Sequence, residues 1–211
     1  YSVSFKTQGA GAGTDVDSLS KFILDSIGNV LAVDSFKLST AQQAAIKTDI
    51  DNFTQLDLDA SGVVTAQRTS RVRLDSEQHP MYSVSFKAFG PGAGSDVDSM
   101  SRFVLDAQGQ VLAVDSFKLT TAQQAAMKTD IDNFSALDAD AAGVGITQRG
   151  SRVRLDSDQH PMYSVYFNTQ GPGAGTDRGR VHPQHPDDPD AVHFDVRVPA
   201  AADAEDLHRG G

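Results

Sequence analysis

Apolar and polar residues alternate with a period of two in the opening string YSVSFK, where Tyr1, Val3 and Phe5 stand against Ser2, Ser4 and Lys6. That is the pattern of a half-buried strand. The string recurs at Tyr82–Lys87 and, as YSVYFN, at Tyr163–Asn168. A loop is expected after each, because GAGAGTDVDS and its counterparts are dense in conformationally free glycine. KFILDSIGNVLAVDSFKL then reads as two strands around DSIG. The competing reading is a helix over Ser18–Ile27 closed by Gly28, since Leu19, Phe22, Ile23 and Ile27 fit one helical face. The β-formers of VLAVDSF favour the hairpin.

The period turns helical in STAQQAAIKTDIDNFTQL. Ser39 or Thr40 can cap this helix, with Gln42 or Gln43 three residues on as the reciprocal partner. Ile46, Ile50 and Phe53 fall at i, i+4 and i+7, and Met127, Ile131 and Phe134 are their counterparts. Both sets are expected in the core. In SRVRLDSEQHPMYSVSFK, Val72 and Leu74 alternate, a short polar connection with Pro80 follows, and Tyr82, Val84 and Phe86 alternate again. A short connection predicts an antiparallel pair.

Tyr1–Met81 and Tyr82–Met162 align without a gap and are identical at 60 of 81 positions. A third copy opens at Tyr163 and leaves the pattern after Asp177. The period exceeds that of most solenoids, so the expected architecture is α+β with two tandem 81-residue domains. Each would pack one helix on an antiparallel sheet of about four strands. The expected segments are an N-terminal strand at 1–14, domains at 15–95 and 96–177, and a proline-, aspartate- and histidine-rich linker with an accessory strand and tail at 178–211.

Three YSV strands for two domains leave three parsings. Each strand completes the domain before it, or opens the one after it, or lies between two sheets and joins them. In the first parsing Tyr1, Val3 and Phe5 form a candidate donor strand for another copy. The acceptor edge is then expected near Val192, Phe194 and Val196 of AVHFDVRVP, which alternates as one strand.

Charge narrows the functional classes. With 18 Lys and Arg against 28 Asp and Glu, the net charge is −10, and no basic footprint for nucleic acid is expected. Cysteine is absent, which removes disulfides and thiolate chemistry. No apolar run reaches the roughly 18 residues of a membrane helix, so membrane insertion is not expected. The first residues are not a signal peptide, and a chain opening on Tyr1 is expected to be a processed or excised fragment.

The candidate chemistry is sparse. Asp15 with Asp17, and Asp96 with Asp98, set paired carboxylates in glycine-rich loops, the donor type that takes Ca²⁺. DLDASGVVT at Asp57–Thr65 resembles the first half of an EF-hand loop, but its twelfth position is Arg68 where an oxygen ligand belongs. His79 and His160 read as turn residues. His182, His185 and His193 are spaced by prolines that prevent a helical ligand pair. Neither GxSxG nor HExxH occurs, and Asp75, Ser76 and His79 share one turn without a catalytic geometry. The expectation is therefore a non-enzymatic, extracellular or cell-surface structural protein whose main partner is itself, assembling into a filament or matrix by strand addition. The alternative is a secreted binding module, such as a protease inhibitor or adhesin, that engages another protein.

Overall fold

Two turn chemistries recur along the chain and set its hairpins. In the first, an aspartate carboxylate accepts the backbone N–H groups two and four residues ahead: Asp25 from Ile27 and Asn29, Asp75 from Glu77 and His79. Asp106 and Asp156 repeat it. The fourth residue of each turn takes a positive φ, met by Gly28 and Gly109 in two cases and by Gln78 and Gln159 in the others. In the second, the glycine-rich loop folds back so that Lys6 donates to the Asp15 carbonyl and Gly13 to the Lys6 carbonyl. Lys87, Asp96 and Gly94 repeat this, as do Asn168, Asp177 and Gly175.

The computed structural model describes residues 1–183. Its strands are β1 (Ser2–Phe5), β2 (Val16–Leu24), β3 (Val30–Lys37), β4 (Arg68–Leu74) and β5 (Pro80–Phe86), followed by β6 (Val97–Leu105), β7 (Val111–Phe117), β8 (Arg149–Leu155), β9 (Pro161–Phe167) and β10 (Arg178–Pro183). They form one ten-stranded antiparallel sheet in strict sequence order. Helices α1 (Thr40–Asp49) and α2 (Phe53–Ser61) separate β3 from β4. Helices α3 (Thr121–Asp130) and α4 (Phe134–Ala142) separate β7 from β8.

The hairpin reading of KFILDSIGNVLAVDSFKL holds as β2 and β3. The capping box forms at Ser39 with Gln42, and at Thr120 with Gln123. Three expectations need correction. The sheet is continuous, because β5 pairs with β4 on one side and with β6 on the other; the YSV strand joins the two halves, so there are not two separate four-stranded sheets. Each half carries two helices where one was expected, because Asn52 stops α1 and caps α2 by accepting the Gln55 N–H. Phe53 therefore opens a new helix instead of extending the face of Ile46 and Ile50, and it is 74% exposed. Ile50 and Ile131 do pack against the cores.

Both helix pairs cover the same face. Ile46, Leu56 and Ala60 pack on Val16, Leu19 and Phe36, and Met127, Leu137 and Ala141 pack on Val84, Met100 and Phe117. The cross-strand register places Leu19 beside Phe36 and Arg71 beside Val84. The helix side of the sheet therefore also receives Asp34, Arg71 and Arg73. The opposite face carries serines and apolar side chains. Ser4 meets Ser18 at 2.5 Å and Ser85 meets Ser99 at 2.5 Å. Phe22, Val33 and Val72 align across three strands, as do Phe103, Val114 and Val153.

Candidate functional site

The most elaborate polar cluster lies where the two halves meet. Arg71 alternates with Val72 on β4, so its guanidinium turns to the helix side, where only 3% of the side chain is exposed. It donates to both carboxylate oxygens of Asp34 at 2.6 and 2.8 Å, and across the junction to Asp132 at 3.0 Å and to the Ile131 carbonyl. Burial disfavours its charge, but Asp34 and then Asp132 outweigh that and hold its pKa above the ordinary arginine value. Arg68 donates to Asp34 at 3.3 Å and to the Gly94 carbonyl at 2.9 Å, tying β4 to the loop between β5 and β6. A buried carboxylate shared by two buried guanidiniums makes this a tightly specified contact, since losing one partner leaves a buried charge uncompensated.

Arg73 completes the junction. It donates to Asp138 at 3.2 Å, and Asp138 also accepts the Tyr82 hydroxyl at 2.6 Å. Burial and then this carboxylate push the Tyr82 phenol far above its ordinary pKa. The Phe134 ring lies under both arginines, 5.6 Å from Arg71 and 5.1 Å from Arg73. The β4 arginines, Tyr82, Asp132, Phe134 and Asp138 thus form one recognition surface between the halves.

Each half of this junction recurs alone toward one end of the described sheet. On the C-terminal side, Arg152 keeps its pair with Asp115 at 2.6 Å, yet its side chain is 36% exposed. Arg154 donates to the Leu112 carbonyl at 3.1 Å and reaches no carboxylate among the described residues. Tyr163 is 38% exposed where Tyr82 is 4%. On the N-terminal side, the Asp57 carboxylate accepts the Tyr1 hydroxyl at 2.9 Å and pairs with no arginine among the described residues. Asp51 is exposed, and Phe53 has no arginine over it among the described residues.

Two glycine positions of the repeat report the same asymmetry. A Cβ on Gly94 would stand 1.8 Å from the Thr65 carbonyl oxygen, and one on Gly175 would stand 1.8 Å from that of Ile146; Gly13 has nothing within 4 Å. Gly109 is packed against His79, with 2.1 Å between its would-be Cβ and the imidazole, while Gly28 has open space. His79 is thus a packing residue of the junction, and its counterpart His160 has a 70% exposed side chain.

The calcium candidates sit elsewhere. Asp15 accepts Lys47 at 2.5 Å and Lys6 at 3.2 Å, and Asp96 accepts Lys128 at 2.5 Å and Lys87 at 3.5 Å. These lysines, Lys47 and Lys128 foremost, hold both carboxyls below the usual range. A cation would have to displace two ammonium groups to reach either one. The structure brings neither aspartate together with its neighbour Asp17 or Asp98 in a group of three or more metal-type ligands among the described residues. Asp57 and Asp59, from the EF-hand-like string, lie on the short helix α2 and not in a loop. Val3 and Phe5 lie in β1 and Tyr1 immediately precedes it; β1 pairs with β2 in its own chain, so this strand is not spare, and its other edge is open among the described residues. Val192, Phe194 and Val196 lie outside the described residues.

Sequence reasoning missed the junction. Its signal was the spacing of Arg71 and Arg73 opposite Tyr82 and Val84, repeated as Arg152 and Arg154 opposite Tyr163 and Val165.

No protein family and no curated protein matches the chain. Among solved structures, a protein of unknown function from Bacteroides fragilis NCTC 9343 is similar at 7% identity with a TM-score of 0.34, covering 79% of this chain and 91% of that one.

Proposed function

We propose that the chain is a non-enzymatic structural protein that assembles with copies of itself, end to end, into an extended sheet. One observation carries this reading: the junction that joins the two halves is complete in the middle of the described sheet, and its two faces recur separately toward the two ends of that sheet. Tandem near-identical units with an open edge strand are suited to build a long object. An extracellular or cell-surface matrix is the setting in which such an object would act. Among the described residues no helix is long and apolar enough to cross a membrane.

Size exclusion and negative-stain imaging over a concentration series test the proposal. Polymers that lengthen with concentration are expected, and deletion of Tyr1–Thr14 should abolish them while circular dichroism stays native-like. Discrete particles at high micromolar concentration would refute it. They would favour a second reading, a binding module, for which the aligned serine and apolar face of the sheet is the supporting feature.

A further inference from the structure

We infer that assembly proceeds by strand exchange: Tyr1–Asp15 of one copy takes the place of Tyr163–Asp177 beside β8 of the next, so that Arg152 and Arg154 dock on the second copy's Asp51, Phe53 and Asp57. This rests on the self-assembly reading and names its partner surface.

Chain chemistry makes the two segments interchangeable. Tyr1–Asp15 and Tyr163–Asp177 are identical at 12 of 15 positions, and both fold as a YSV strand followed by the same glycine loop. β9 lies on β8 with Tyr163 beside Arg154 and Val165 beside Arg152. The internal junction has that same register, with Tyr82 beside Arg73 and Val84 beside Arg71. An incoming Tyr1 and Val3 would therefore restore the backbone hydrogen bonds that β9 gives up on that edge. With the backbone contribution on β8 nearly cancelled, side chains decide the outcome.

The side chains favour the incoming strand. Among the described residues no helix follows β9 to cover its inner face, and Tyr163 and Arg152 stand partly in water. The incoming strand carries α1 and α2, with Asp51, Phe53 and Asp57 placed as Asp132, Phe134 and Asp138 are in the complete junction. Two carboxylates and an exposed ring on one side meet two arginines on the other. Aromatic and arginine anchors of this kind dominate interface energetics. The open space at Gly13 and Gly28 matches the places that the Ile146 carbonyl and His160 would occupy, as the Thr65 carbonyl and His79 do at Gly94 and Gly109.

The contact is head to tail, so it builds a ring or an open filament and not a two-fold dimer. β9 and β10 then act as an in-chain plug that must leave before a copy can join. The acceptor expected from the sequence was an open edge near Val192, Phe194 and Val196, which lie outside the described residues; the exchange site proposed instead is β8.

Because the chain has no cysteine, single thiols report the pairing directly. Ser83 is the cross-strand partner of Val72 in the internal junction, so Ser2→Cys on one copy should face Val153→Cys on the next. Within one chain these positions lie on the first and eighth strands of the sheet and do not meet. Mixing the two variants under mild oxidation should give a disulfide-linked pair on a non-reducing gel. Adding Phe53→Ala, at a position too exposed to threaten the fold, should cut that yield by about tenfold or more. Polymers that form without the cross-link, or a yield indifferent to Phe53→Ala, would overturn the exchange while leaving self-assembly standing. A parent chain that stays monomeric at high micromolar concentration would overturn both.

Discussion

Arg73 holds its guanidinium 5.1 Å from the centre of the Phe134 ring while donating to Asp138 at 3.2 Å, a pairing that joins the two halves of the sheet. Asp138 also accepts the Tyr82 hydroxyl, so Asp138→Ala strands two polar partners, a guanidinium with 13% of its side chain exposed and a buried phenol. The expected cost is ~1–3 kcal/mol. Asp57→Ala, the equivalent change in the first half, releases only Tyr1 from an exposed contact and should stay within ~0.5 kcal/mol. Chemical denaturation of the two variants under non-assembling conditions checks the contrast. Equal costs would mean that the junction is not what Asp138 serves.

A similar contrast separates the true core from the expected one. Leu137, on α4, is fully buried against the sheet, and Phe53 is 74% exposed at the start of α2. Leu137→Ala should cost ~2–5 kcal/mol, whereas Phe53→Ala should change the stability of the monomer by less than ~0.5 kcal/mol. Thermal melts followed by circular dichroism distinguish the two outcomes.

Gly94 and Gly13 share a positive φ, at 70° and 75°, so alanine is strained at both. Only Gly94 has a backbone carbonyl in the path of a Cβ. Gly94→Ala should therefore be the more destabilising by at least ~1 kcal/mol, because the β5–β6 loop must move off Thr65 and loosen its bond to Arg68. Comparable melting points for the two variants would argue against the close approach.

Acid should weaken the fold through specific carboxylates. The Asp75 and Asp156 carboxyls are held below the usual range chiefly by the backbone N–H groups of His79 and His160, and Asp15 and Asp96 by lysines. A depressed folded-state pKa contributes stability that is fully present above the unfolded value, near ~4, and is lost as pH falls below it. Denaturation midpoints measured downward from pH 6 should fall most steeply below about pH 4, and Asp75→Asn should flatten that slope. A midpoint that rises on acidification would contradict the assignment.

Local features were legible in the sequence because local chemistry determines them. The YSV strands, the DSIG hairpin and the Ser39–Gln42 box each follow from period or capping alone. Asn52 followed by Gln55 three residues on was a readable second cap, overridden by the attraction of extending the Ile46, Ile50 face to Phe53. The continuity of the sheet was not legible. A half-buried alternating strand looks the same whether one of its edges is paired or both are, and the second partner of β5 is supplied by residues beyond the next loop. The junction cluster was hidden for a related reason. Val72 and Leu74 mark one face of β4, while Arg71 and Arg73 on the other reach across the junction to Asp132 and Asp138, 61 and 65 residues downstream.

The most direct test of assembly through the junction is a charge swap followed by sedimentation velocity. Asp57→Arg alone and Arg154→Asp alone should each leave the chain monomeric at concentrations where the parent polymerises. Combined in one chain, they restore an opposite-charge pair between copies with its polarity reversed, and polymerisation should return. If both single variants assemble like the parent, or the double variant remains monomeric beside a polymerising parent, the Arg154–Asp57 contact does not build the assembly.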